Sequence, residues 1–211
     1  MHFYRKNPQI LAVFMSIVVF LPCVWAQWSE PQLMSELNGT VRNAYGAYVL
    51  DDGLTIYFGR RSDSEWTRRL YSATRESVQE QFSNVTQLSE LYPGYQLYPP
   101  WVSNDKLQMI FSLYDSGLIM KHTVRSSVDS PWQQGETISG IQDGSFGQYN
   151  PSLTADQLLM FYQRNGTNTG DNKIYMASRT NISEPWTNPE PVNELNSGVE
   201  SFNPHIMPDG L

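Results

Sequence analysis

The sequence predicts an all-β chain of repeated four-stranded sheets, and three observations carry that prediction. A block spanning 149–196 opens Tyr-Asn-Pro-Ser-Leu-Thr-Ala-Asp and closes on Glu184-Pro185-Trp186, Pro189, Val192 and Leu195-Asn196. Its opening recurs at 98–105, at 45–52 and at 202–209, so Asp52, Asp105, Asp156 and Asp209 lie 53, 51 and 53 residues apart. That spacing is the period of a propeller blade. The closing half repeats in step. Arg75, Arg125 and Arg179 are each followed seven residues on by Phe82, Trp132 and Trp186, then by Leu88, Ile138 and Val192, then by Leu91, Ile141 and Leu195. Finally, aromatics make up 13% of the chain and charged residues only 17%, a balance that suits strands better than helices.

Within each block, short strands alternate with turn residues. The first gives strands at 45–50, 54–60, 69–75 and around 85–88, with Asp51-Asp52-Gly53 as a hairpin turn. The second gives 98–103, 107–113, 118–125 and 136–141; the third gives 150–154, 158–164, 173–179 and 189–192. A helical pattern over 72–82 is weak, and the repeat overrides it. One four-stranded sheet of this size cannot bury both faces, so blades stack around an axis. The strand segments 109–111 and 160–162 then become core, with the aromatic after each Arg wedged between blades. The predicted fold is therefore a β-propeller of antiparallel four-stranded blades, with about three whole blades and partial first and last units.

Trp28, Pro31, Met34, Leu37 and Asn38 repeat the closing half of a block, and 202–211 repeat an opening. The sequence thus divides into 1–26 and a partial propeller over 27–211. Its blades fall near 45–91, 98–141 and 149–195, with blade fragments at 28–38 and 202–211. Propellers have about 4 to 8 blades, so the ring is expected to be incomplete and the chain to be the N-terminal part of a longer protein. Arg5 and Lys6, an apolar run over 10–24 and Val24-Trp25-Ala26 make a secretory signal peptide cleaved after Ala26. The apolar run falls short of the roughly 20 residues of a membrane span. Cys23 is the single cysteine and leaves with the leader, so no disulfide is expected. The full chain carries 14 basic and 21 acidic residues, net −7; without Arg5 and Lys6 the mature chain stands at −9. An acidic chain disfavours nucleic acid and anionic membrane as partners.

The blocks resemble the WD-like β-propeller repeat of the TolB type. The residues that carry the likeness are Pro-x-Leu-Thr-x-Asp, Ile-Tyr-x-Ala-Ser-Arg and Glu-Pro-Trp-x-x-Pro-x-x-Val-x-x-Leu-Asn, and it covers 28–211. The resemblance implies a six- or seven-bladed propeller, secreted or periplasmic, serving as a binding platform for another protein. Ala47, where the other blocks have Pro100, Pro151 and Pro204, and Leu113, where others have Arg60 and Arg164, depart from the pattern.

Two sets of repeating residues are candidate ligand contacts. Tyr45, Tyr98, Tyr149 and Phe202 would form an aromatic collar at the channel mouth, stacking on sugar rings or an inserted peptide, or else a packed plug. Arg75, Arg125 and Arg179 would form a carboxylate-binding arc, or else tie one blade's turn to its neighbour. The repeating Asp reads as a turn residue accepting from backbone amides, the alternative being a ring of acids around the axis. No catalytic residue, metal site or cofactor is expected: His122 and His205 stand alone, no Gly-x-Ser-x-Gly elbow exists, and Glu36, Asp105 and Glu194 form no recognisable acid pair. Asn38, Asn84, Asn165 and Asn181 open glycosylation triplets of the kind turn-rich sequences generate freely. The expected partner is a protein or a cell-surface glycan.

Overall fold

The structure, a computed structural model, describes residues 30–39, 43–61, 67–141, 147–165, 171–198 and 200–207. The leader, Trp28 and Asp209 lie outside them. The described residues fall into two units: 30–33, which are exposed irregular chain, and a second from Met34 onward.

In the second unit a single helical turn, α1 (Ser35–Asn38), precedes three antiparallel four-stranded sheets. Blade 1 holds β1 (Asn43–Val49), β2 (Thr55–Arg61), β3 (Arg68–Thr74) and β4 (Ser83–Gln87). Blade 2 holds β5 (Gln96–Val102), β6 (Gln108–Tyr114), β7 (Leu118–Val124) and β8 (Glu136–Thr137). Blade 3 holds β9 (Gln148–Leu153), β10 (Leu159–Arg164), β11 (Lys173–Ser178) and β12 (Thr187–Pro191). Strand order follows chain order in every sheet. The strand–turn pattern of the sequence is thus realised block by block, and the weak helical pattern over 72–82 is strand and turn.

Two local departures have physical causes. β8 covers two residues where the sequence suggested six. The chain leaves the sheet straight after it: Ile138 N still donates to Met120 O at 3.1 Å, and Gly140 then turns at φ 85°. In β1, β5 and β9 the register slips at 45–48, 98–101 and 149–152. Each slip is a bulge: Gly46 and Asn150 sit at φ 59° and 53°, and Asn203 at the same place in the last block is at 50°.

The faces alternate along every second strand. Ile56 and Phe58 face α1, while Tyr57 faces blade 2; Met109, Phe111 and Leu113 face blade 1, while Ile110 faces blade 3. Trp132 closes the apolar layer between blades 1 and 2, and Trp186 the layer between blades 2 and 3. Phe82 packs with Leu37 over the outer face of blade 1. Leu37, Leu91 and Ile141 are buried at these junctions, yet the equivalent Leu195 is 55% exposed, because among the described residues no sheet covers it.

Candidate functional site at the channel axis

The repeating Asp builds the β1–β2 type turn in each blade. Asp52, Asp105 and Asp156 Oδ1 accept from Leu54, Leu107 and Leu158 N at 2.8, 2.9 and 3.0 Å. Ser103 and Thr154 hydroxyls donate to the same atoms in blades 2 and 3 at 2.5 and 2.6 Å. These bonds hold the turn residues in place at one end of the axis. Two contacts also tie blade 1 to blade 2 there: Asn104 Nδ2 to Asp51 Oδ2 at 2.5 Å and Lys106 Nζ to Asp52 at 3.3 Å.

Arg75, Arg125 and Arg179 do not converge on one another. Each donates through Nε to the turn carbonyl of its own blade: Gly53 O at 2.7 Å, Lys106 O at 2.6 Å and Gln157 O at 2.8 Å. Each guanidinium also covers the aromatic ring seven residues on, at 4.4, 4.4 and 4.3 Å from the centroids of Phe82, Trp132 and Trp186. The conserved spacing of Arg and aromatic within the blocks is this stacking.

Three of the four collar aromatics do come together, at the opposite end of the axis from the turns. The rings of Tyr98 and Tyr149 lie 5.9 Å apart, and Arg68 sits over Tyr98 at 4.6 Å and Tyr45 at 5.7 Å. Gly59 is what lets Tyr45 lie flat: a Cβ there would come within 2.5 Å of the ring. Tyr45 Oη donates to Leu97 O of blade 2 at 3.3 Å, Tyr149 Oη donates to Asn172 Oδ1 at 2.8 Å, and Gln163 Nε2 donates to Tyr149 Oη. Phe202 stands apart and is 54% exposed.

The open space lies at the turn end instead. A cavity of 410 Å³ is lined by Tyr48, Trp101 and His205, from the same position of three blocks, with Asp51, Asn104, Ser103, Thr154 and Gln157 around them. A narrower space of 190 Å³ continues along the axis between Pro99, Pro100, Pro151 and Pro204. The rings of Tyr48 and His205 meet edge to face at 6.3 Å. Sequence reasoning passed over Tyr48 and Trp101 and weighed His205 only as a lone histidine, although the three occupy one aligned position three places after each collar aromatic. Among the described residues no group of His, Cys, Asp and Glu could hold a metal ion. None of the described helices is long and apolar enough to cross a membrane.

Burial pushes the phenols of Tyr48 and Tyr149 from 10.0 up to about 12, and raises Tyr45 as well against the pull of Arg68. A raised phenol pKa favours the neutral form in the fold. Its contribution is whole below the unfolded value and is lost as pH rises through the window from about 10 to about 12. A drop in melting temperature confined to that window is expected, accompanied by late tyrosinate absorbance. The double variant Tyr48→Phe/Tyr149→Phe should flatten the drop; tyrosinate absorbance rising with a single midpoint at about pH 10 would show ordinary phenols.

These blades and their axis define a β-propeller. No protein-family model and no curated protein sequence matches the chain. Among solved structures, a TolB-type protein from Agrobacterium tumefaciens superposes with a TM-score of 0.51 at 14% identity, over 76% of this chain and 51% of that one. A family-43 glycoside hydrolase superposes at 0.48 and 15% identity, over 78% and 61%, and a prolyl endopeptidase at 0.44 and 16% identity, over 84% and 26%. At such identities the likeness is one of fold, and the fold is that of a TolB-like β-propeller. The chain spans about half the length of the TolB-type structure.

Proposed function

We propose that the chain is a secreted or periplasmic, non-catalytic propeller that binds a protein partner at its axis. The observation that carries this reading is the 410 Å³ cavity, in which Tyr48, Trp101 and His205 converge above a polar rim. Aromatic rings that keep one polar tip suit a surface that is apolar in the middle and wet at the edge. The acids beside it are engaged in structure: Asp51 holds Asn104, and Asp105 holds its own turn. Catalysis by paired carboxylates asks for acids free to face a substrate.

A photo-crosslinking residue at position 48, compared with one at position 87 on an outer strand, tests the reading in cells that secrete the protein. One defined adduct at 48 and none at 87 is the expected outcome; equal labelling at both would remove the axial site. A second reading, a glycan-binding or glycoside-hydrolase-like propeller, is favoured by the tyrosine cluster at the other mouth. Retention on immobilised polysaccharide that disappears in Tyr98→Ala and Tyr149→Ala would select it.

A further inference from the structure

The three blades are copies, so a place where one junction differs from another is informative. Tyr57, Ser72 and Thr86 form one cross-strand row of blade 1, directly paired through the sheet. Ile110, His122 and Glu136 form the same row of blade 2. At the first junction Arg125 Nη2 donates to Tyr57 Oη at 3.5 Å. At the second junction Ile110 replaces the phenol and offers no polar atom. Arg179 spends Nε on Gln157 O and Nη1 on Ile182 O, at 2.8 and 3.0 Å, and its Nη2 has no hydrogen-bond partner among the described residues.

A groove of 340 Å³ lies here between blades 2 and 3. Arg179, His122, Glu136 and Glu184 line it together with Ile110 and Trp186. Its chemistry is two-sided. The unspent Nη2 can donate a charge-assisted hydrogen bond to a carboxylate oxygen. Carboxylates at Glu136 and Glu184 match an ammonium, and His122 stands beside Glu136 in the row with its Nε2 3.2 Å from Gln108 Oε1. Burial and the nearby Arg179 charge lower the His122 pKa, so the imidazole is neutral at neutral pH and adds a polar contact without adding charge.

We infer that this groove is a binding site for a small zwitterion of the α-amino acid type, its carboxylate on Arg179 and its ammonium on Glu136. The site lies away from the axis and does not depend on the axial reading. The test follows the His122 ring resonances of the full chain during titration with L-alanine, acetate and ethylamine. L-alanine should give saturable shifts, with acetate and ethylamine each at least about tenfold weaker, since each keeps one charge-assisted contact and loses the other. Ile110→Tyr, which refills the groove as Tyr57 does in blade 1, should abolish the shifts. Should that variant fold poorly, His122→Ser/Glu136→Thr, the blade 1 pair on a half-exposed edge, is read instead by intrinsic tryptophan fluorescence and should also lose binding. Silence of the His122 signals towards L-alanine, acetate binding as tightly as L-alanine, or binding undiminished in the folded variants would each overturn the inference.

Discussion

Gly140→Ala is expected to destabilise the fold by about 3 kcal/mol or more, the sum of backbone strain and overpacking that cannot relax locally. Gly140 sits at φ 85°, and a Cβ there would lie 1.7 Å from the carbonyl oxygen of Trp186 in the next blade. That neighbour is backbone, so no rotamer change makes room, and blades 2 and 3 must move apart. Gly94→Ala supplies the control. Gly94 is at φ 94° with nothing within 4 Å of the added methyl, so it isolates the strain of a positive φ, about 1 kcal/mol. Urea unfolding of both variants measures the difference. Equal losses would mean that the close approach of Gly140 to Trp186 contributes nothing to holding the blades together.

Gly140 also shows where the blocks stop being interchangeable. The equivalent residues are Glu90 and Glu194. At the first junction Glu90 Oε1 accepts from Trp132 N at 3.4 Å and its carbonyl from Gln134 Nε2 at 2.8 Å, so a side chain bridges the blades. At the second junction the bridge is gone and bare backbone approaches instead. Aligning the blocks reveals the substitution, but only the packing shows that it sets the chain directly against the Trp186 carbonyl.

The sheets were legible because two constraints reinforce each other. Alternation set which residues face a neighbouring blade, and the repeat fixed where each strand begins, so an ambiguous window such as 72–82 was settled by its better-defined copies. The arrangement along the axis was harder to read. A bulge inserts a residue into β1, β5 and β9 and reverses side-chain parity beyond it. Tyr45 and Tyr48, paired with Gly59 and Tyr57, therefore share a face although they are three residues apart, and their separation along the strand leaves the first under Arg68 and the second lining the cavity. Turn chemistry was easier. An Asp followed two residues later by an apolar residue whose amide needs an acceptor is a local matter, and Asp52, Asp105 and Asp156 solve it alike. The arginines fall between these cases: their partners are a turn and a ring of the same blade, reached over about twenty residues and seven, and the sequence spacing recorded only the second.

Trp132→Ala is expected to cost about 3–5 kcal/mol, the usual loss when a large buried aromatic is truncated in a core. The residue is 3% exposed and packs with Leu50, Tyr57, Leu70 and Leu88 of blade 1 and with Met109 and Phe111 of its own blade. Its loss therefore strips the layer that joins two sheets. Trp132→Phe separates the causes. The indole Nε1 is buried with no hydrogen-bond partner, so replacing it removes a polar atom that the fold leaves unsatisfied. A phenyl ring still lies under the Arg125 guanidinium, now 4.4 Å from the indole, as Phe82 lies under Arg75 in blade 1 at the same distance. The Phe variant should keep most of the stability that the Ala variant loses, by urea midpoint at unchanged slope. If Phe proved as damaging as Ala, the ring's apolar area and its place beneath the guanidinium would not be what joins the blades, and the indole N–H would have to hold a partner after all.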